Sequence, residues 1–229
     1  MNHPAIKKST LTFLKNLHTN NDRDWFNEHK DQYLLARENA EQFMDVLLYE
    51  MSKHDQFDTP SGKKSLYRVY KDVRFSNNKQ PYNPWLSAYL RRAKPLLRGG
   101  YYFRIMPGAS RVTCGFSFPK PEDLYKIRMD ISANYKHWKK LLNTKIMRDN
   151  FGAIIGEQVK TTPRGFSSDD PAIELLRHKQ FLFRRHFTDK EVLAPDFLLT
   201  VNKTCKVIRP LFDYMSELLT TDSNGVSLF

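Results

Sequence analysis

Arg68, Asp72, Arg74, Ser76, Asn78 and Lys79 lie within one short stretch of the chain. Two guanidinium groups, an ammonium, a hydroxyl and an amide around a single carboxylate make a set suited to an anion. Guanidinium groups take phosphate or carboxylate oxygens in pairs, and the neutral groups add further donors. Tyr82 closes the stretch, and Arg104, Arg128 and Lys179 bring further polar or cationic groups from later segments. Together these are the candidate ligand-binding residues. Asp72 is the one carboxylate among them that could work as a base, but nearby arginines favour its ionised form, so an orienting role suits it better.

The charge distribution points to the same place. Asp72 is the only acidic residue between Asp58 and Glu122, and residues 59 to 121 hold thirteen lysines and arginines against it, a surplus of +12. The whole chain of 229 residues, with 37 basic and 25 acidic residues, also carries +12, so the rest is balanced. A surplus confined to one region costs self-repulsion on folding, and it is more reasonably kept for an anionic partner than for solubility.

Other chemistries find little support. Ser76 has no His/Asp partner at a nucleophile's spacing, and His178 and His186 read as structural. Cys114 and Cys205 match no metal or redox spacing and are expected as buried free thiols. There is no glycine-rich phosphate loop, zinc-binding His pair or calcium loop. No metal and no cofactor is expected. The N-terminus lacks an apolar leader and no run is long enough to span a membrane, so a soluble cytoplasmic protein is expected.

The elements that must position these residues follow from periodicity. Leu11, Leu14 and Leu17 mark a first helix capped by Ser9 or Thr10, and Phe26, Tyr33, Ala36, Ala40, Phe43, Leu47 and Met51 mark one longer helix from about Asn21 to Lys53. From Ser65 the period changes to two. Tyr67, Val69, Val73 and Phe75 should face a core, with Arg68, Tyr70, Asp72 and Arg74 opposite. Strands are further expected over Trp85 to Arg92, Tyr101 to Met106, Arg111 to Phe118 and Gln180 to Phe187, with Pro107 to Ser110 as a hairpin turn. If they are neighbours, one face of the sheet is apolar and the other basic with tyrosines.

Pro121 followed by Glu122 and Asp123 starts a helix on which Arg128 falls among Leu124, Ile127 and Ile131. Such an arginine either snorkels outward or meets a buried carboxylate. Further helices are expected over residues 136–155 and 172–177, and after Asp196, with a break at Pro210. The expected architecture is a single α+β domain over 1–229. It has a central, mainly antiparallel sheet of about five strands, packed with N-terminal and C-terminal helices.

The pattern Lys71-Asp72-Val73-Arg74-Phe75-Ser76-x-Asn78-Lys79-x-Pro81-Tyr82 resembles the signature of an uncharacterised family, the domain of unknown function DUF2461, where it runs R-D-x-R-F-S-x-D-K-x-P-Y-K. The resemblance extends to Asn20-Asn21-x-Arg23-x-Trp25-Phe26, Gly115, Arg128, Pro163-x-Gly165-Phe166 and Lys179. It implies no particular activity. The chain departs from the family pattern at Lys71, Asn78 and Asn83, and Asn78 replaces a carboxylate.

Three function classes fit these observations. The cationic set could wall a pocket for a small phosphate- or carboxylate-bearing ligand. The tyrosine-bearing basic face could instead bind nucleic acid, with Tyr70, Tyr82, Tyr89, Tyr101 or Tyr102 as stacking platforms. A structural or interaction role toward an acidic partner is the third.

Overall fold

The computed structural model describes residues 3–74, 77, 79–222 and 224–229. Ser76 and Asn78 of the candidate set, and Phe75 of the expected strand, lie outside the described residues. The elements run α1 Lys8–Thr19, α2 Arg23–Glu28, α3 Lys30–Ser52, α4 Gly62–Ser65, β1 Leu86–Arg91, β2 Gly100–Ile105, β3 Ser110–Phe116, α5 Pro121–Ala133, α6 Tyr135–Leu142, α7 Lys145–Phe151, α8 Ile173–Leu176, β4 Phe181–Phe187, α9 Asp189–Val192, α10 Phe197–Val207 and α11 Arg209–Thr220. The fold is α+β, and its four strands pair antiparallel in the order β1-β2-β3-β4.

Among the described residues four strands stand where about five were expected, and the segment before β1 accounts for the difference. Leu66 pairs with Ala88 and Tyr70 with Tyr82, each as an isolated antiparallel bridge. The backbone bonds are few and spaced apart: Tyr67 N–H donates to Ser87 at 2.9 Å, and Lys71 N–H donates to Pro81 at 2.8 Å. The two bridges differ in register on the 81–88 stretch, so the ladder is interrupted and no regular inward face is kept. Val69 is buried, but Tyr67 is 52% exposed rather than in the core.

Two further expectations need correction. The long helix expected from Asn21 to Lys53 divides at His29, so that Phe26 belongs to α2 and Tyr33 to α3. Asp22 caps α2 by accepting from Trp25 N–H at 2.9 Å. Nor do Ser9 or Thr10 cap α1, which already starts at Lys8. Instead the buried Asn39 of α3 accepts from Lys7 N–H and Thr10 Oγ1, and donates to the Ala5 carbonyl.

The chain forms two compact units. Unit 1 comprises Met1–Leu90, Tyr102–Val112 and His186–Lys203. In it the apolar stripe of α3 packs against α1 and α4. Phe13, Leu14, Leu17, Phe26, Tyr33, Ala36, Ala40, Val69, Tyr82 and Leu86 make its hydrophobic cluster. Burying each large side chain of this kind contributes about 1.5–3 kcal/mol. Gly62 permits the close approach of α4 to α3, since a Cβ there would stand 2.4 Å from the Glu41 carbonyl oxygen.

Unit 2 comprises Arg91–Tyr101, Thr113–Arg185 and Thr204–Phe229. Here α5 packs against α6, α8 and α11. Trp138 is fully buried, with Tyr214 edge-on at 5.6 Å, and both donate to one carboxylate oxygen of Asp130 at 2.6 Å. Desolvation, followed by that carboxylate, raises the Tyr214 phenol well above its ordinary value, so it stays a donor. Pro210 stands in the first turn of α11, where its missing N–H costs nothing, and the break expected there separates α10 from α11. Cys114 and Cys205 are buried and not joined in a disulfide.

Candidate functional site

In unit 1 the motif loop is closed by a short ladder. Asn83 N–H donates to Val69 and Lys71 N–H to Pro81, both at 2.8 Å, which fixes the two ends of residues 72–80 beside each other. Tyr82, on that ladder, is 4% exposed and lies on Phe26 with ring centroids 4.0 Å apart at 15°. It anchors the loop to the core and presents no face to a ligand.

Within the loop, Asp72 and Arg74 form a two-pronged ion pair, Nε to Oδ1 at 3.0 Å and Nη2 to Oδ2 at 2.6 Å, and Arg74 N–H also reaches Oδ1 at 3.2 Å. The guanidinium first, then this backbone N–H, hold the Asp72 carboxyl below its ordinary value, and the charge of Arg68 adds to them. A carboxylate held ionised in this way is a poor general base. Lys79 Nζ donates to the Val73 carbonyl at 3.2 Å, across the loop. Arg68 itself is exposed.

Arg104 has a different setting. It is half-buried on β2, with its guanidinium carbon 4.1 Å from the Trp85 ring centroid and 5.7 Å from that of Tyr102. Its Nε donates to the Tyr102 hydroxyl at 3.2 Å, and the Tyr67 ring stands 6.3 Å from that of Tyr102. Arg104 has no carboxylate partner among the described residues. Aromatic packing orders the guanidinium while its charge stays uncompensated.

The remaining two candidates belong to unit 2. Arg128 is half-buried on α5 and does not meet the buried carboxylate that its position there suggested. Its Nε donates to the Leu176 carbonyl at 2.8 Å and its Nη2 to that of His178 at 3.2 Å. These oxygens lie at and just beyond the end of α8, where carbonyls lack helical partners, so the cation satisfies them. Lys179 is exposed and pairs with Glu157 at 3.4 Å.

Beside Arg128 is a feature that sequence reasoning missed. A cleft of about 310 Å³ is lined by residues of α6, α8, the 152–158 segment, His178 and Phe183. His178 is 4% exposed, and its Nε2 is 3.0 Å from the Gln158 amide nitrogen. Burial lowers the imidazole pKa, against smaller opposing effects from the Gln180 backbone and Glu174.

Arg92 was missed as well. It is fully buried in unit 2, donating to the carbonyls of Arg98 at 2.8 Å and Phe212 at 3.4 Å, to Ser216 Oγ at 3.1 Å and to Asp213 at 2.9 Å. Its only sequence signal was that it follows another arginine at the end of an apolar strand.

Among the described residues no group of three or more His, Cys, Asp or Glu could hold a metal ion, and no helix is long and apolar enough to cross a membrane. No curated protein and no solved structure matches the chain. One family model does, over residues 9–214, which include the motif loop, Arg104, Arg128 and Lys179. The chain therefore belongs to the family described as conserved hypothetical protein, DUF2461.

Proposed function

We propose that this protein binds a phosphate- or carboxylate-bearing ligand at the basic surface of unit 1, with Arg104 as the central contact. The observation that carries the reading is the guanidinium of Arg104, ordered over Trp85 and without a carboxylate partner among the described residues. Most of the ordering cost of an arginine contact is met before any ligand arrives, so an anion gains a fixed fork of donors. Arg68 and Lys79 add charge from the motif, and Arg74 orders the loop by neutralising Asp72. Asp72 is then a positioning group, and no proton transfer is assigned to it.

Nucleic acid is the second reading, favoured by the exposure of Tyr67 at 52% and Tyr70 at 55% beside Arg68. Exposed tyrosines offer stacking faces to successive bases while cations meet the phosphates.

A thermal-shift screen of phosphorylated metabolites and polycarboxylates, run beside oligonucleotide titrations at two salt concentrations, tests both. Saturable stabilisation by one small anion, weakened about tenfold or more in Arg104→Met and partly retained in Arg104→Lys, is the expected result. Salt-sensitive binding of oligonucleotides regardless of sequence, reduced by Tyr67→Ala and Tyr70→Ala, would favour the second reading. Equal binding by wild type and Arg104→Met would remove Arg104 from the site.

A further inference from the structure

We infer that the cleft in unit 2 is a binding site for a small monocarboxylic acid with an apolar body. This site is separate from the basic surface of unit 1 and does not rest on that reading.

The size comes first. About 310 Å³ is at the small end of ligand pockets, enough for a simple organic acid and too little for a dinucleotide. The walls are mixed. Leu142, Ile154, Leu175 and the buried Phe183 give it an apolar lining, whereas Lys139, Gln158 and His178 place polar groups among them.

The charges select the ligand's sign. Glu174 also lines the cleft, but it is engaged by Arg177 at 2.8 Å. Lys139 is exposed on α6 and has no carboxylate partner among the described residues. One lysine supplies a single point charge, which one carboxylate suffices to meet. The apolar walls suit a branched aliphatic or aromatic body.

The wall is also firmly built. The 155–159 segment pairs with residues 177–182 through bonds from Ile155 to Leu182, Val159 to Arg177 and Lys179 to Glu157. Gly156, at φ +130°, allows this approach, because a Cβ there would stand 2.8 Å from that of Gln180. Arg128 holds the carbonyls of Leu176 and His178 from behind. Gln158 and His178 consequently meet the cleft in fixed positions, as a preformed site requires.

The test is a calorimetric and thermal-shift panel of phenylacetate, 4-hydroxyphenylacetate and isovalerate, with phenylacetamide as the neutral control. The acids should stabilise the full chain saturably and the amide should not. Lys139→Met should weaken binding about fivefold, the effect of a solvent-touched ion pair. Ala153→Trp, which fills the cleft from an exposed position, should abolish binding while leaving the Tm of the free protein near that of wild type. Arg104→Met should bind the acids as wild type does, which separates this site from the one in unit 1. The proposal is overturned if no acid shifts the Tm at about 10 mM, where a site of useful affinity would be largely filled. It is equally overturned if the affinity is unchanged in Lys139→Met or if the shift persists in Ala153→Trp.

Discussion

Asn21 and Tyr82, 61 residues apart, exchange two hydrogen bonds: Asn21 Nδ2 donates to the Tyr82 carbonyl at 2.9 Å, and Tyr82 N–H donates to Asn21 Oδ1 at 3.0 Å. A side-chain amide here does what a neighbouring strand's peptide would do. It ties the end of the motif loop to the turn before α2, whose Phe26 stacks on the Tyr82 ring. The family-like residues at the N-terminus and in the central motif thus form one structural device.

Removing the amide leaves both backbone groups of Tyr82 without their partner. Asn21→Ala should destabilise the chain by about 1–3 kcal/mol and speed hydrogen exchange at the Tyr82 N–H. Asn21→Asp keeps the acceptor and loses the donor, so it should fall between. Unchanged urea midpoints and exchange rates in Asn21→Ala would show that the clamp contributes nothing.

Gly115 has φ +141°, and a Cβ there would stand 2.0 Å from the Phe181 carbonyl oxygen on the next strand. Gly115→Ala must therefore push β3 and β4 apart as well as strain its own backbone, with a cost of about 3 kcal/mol or more. Chemical denaturation of the variant against wild type measures this. A loss below about 1 kcal/mol would mean that the strands adjust freely.

Arg92 and Asp213 should behave unequally although they are paired. Arg92 is fully buried and donates to four groups, whereas Asp213 is 52% exposed and also accepts from Arg209. Arg92→Met should cost about 2–4 kcal/mol, because buried carbonyls lose their donor. Asp213→Asn should cost about 1 kcal/mol or less, since its carboxylate is in water. Equal losses would contradict the assignment of Arg92 as a carbonyl-satisfying strut.

His178 makes stability depend on pH. Burial lowers its folded-state pKa below the ordinary value of 6.5, so the unfolded chain binds the proton more readily. Its contribution is fully present above about pH 6.5 and is lost as pH falls through that value toward the lower, folded-state pKa. Urea midpoints should therefore drop from neutral to mildly acidic pH in wild type, and less steeply in His178→Gln. Parallel curves for the two proteins would exclude the imidazole as the cause.

Local signals were read correctly where one residue or one period decides the outcome. Pro121 begins α5, Pro210 marks the break before α11, and the turn at 106–109 joins β2 to β3, with Ala109 N–H donating to the Met106 carbonyl at 2.9 Å. Alternation located β1 to β4 to within a residue or two. It failed at 66–71, because a strand's face is set by its pairing and the ladder there is interrupted between its two bridges. It also failed at His29, where the apolar spacing continues across a break between helices.

The sequence by itself determined the α+β class, the family-like motif, and the concentration of positive charge around Asp72, all of which depend on residue type and near-neighbour order. Tertiary structure alone decided what each cation does. Arg74 neutralises Asp72, Arg92 and Arg128 satisfy carbonyls, and Arg104 is held by aromatic rings. An arginine's role depends on which acceptor or ring folding brings within about 3–5 Å, and for Arg92 some of those acceptors are 120 residues away.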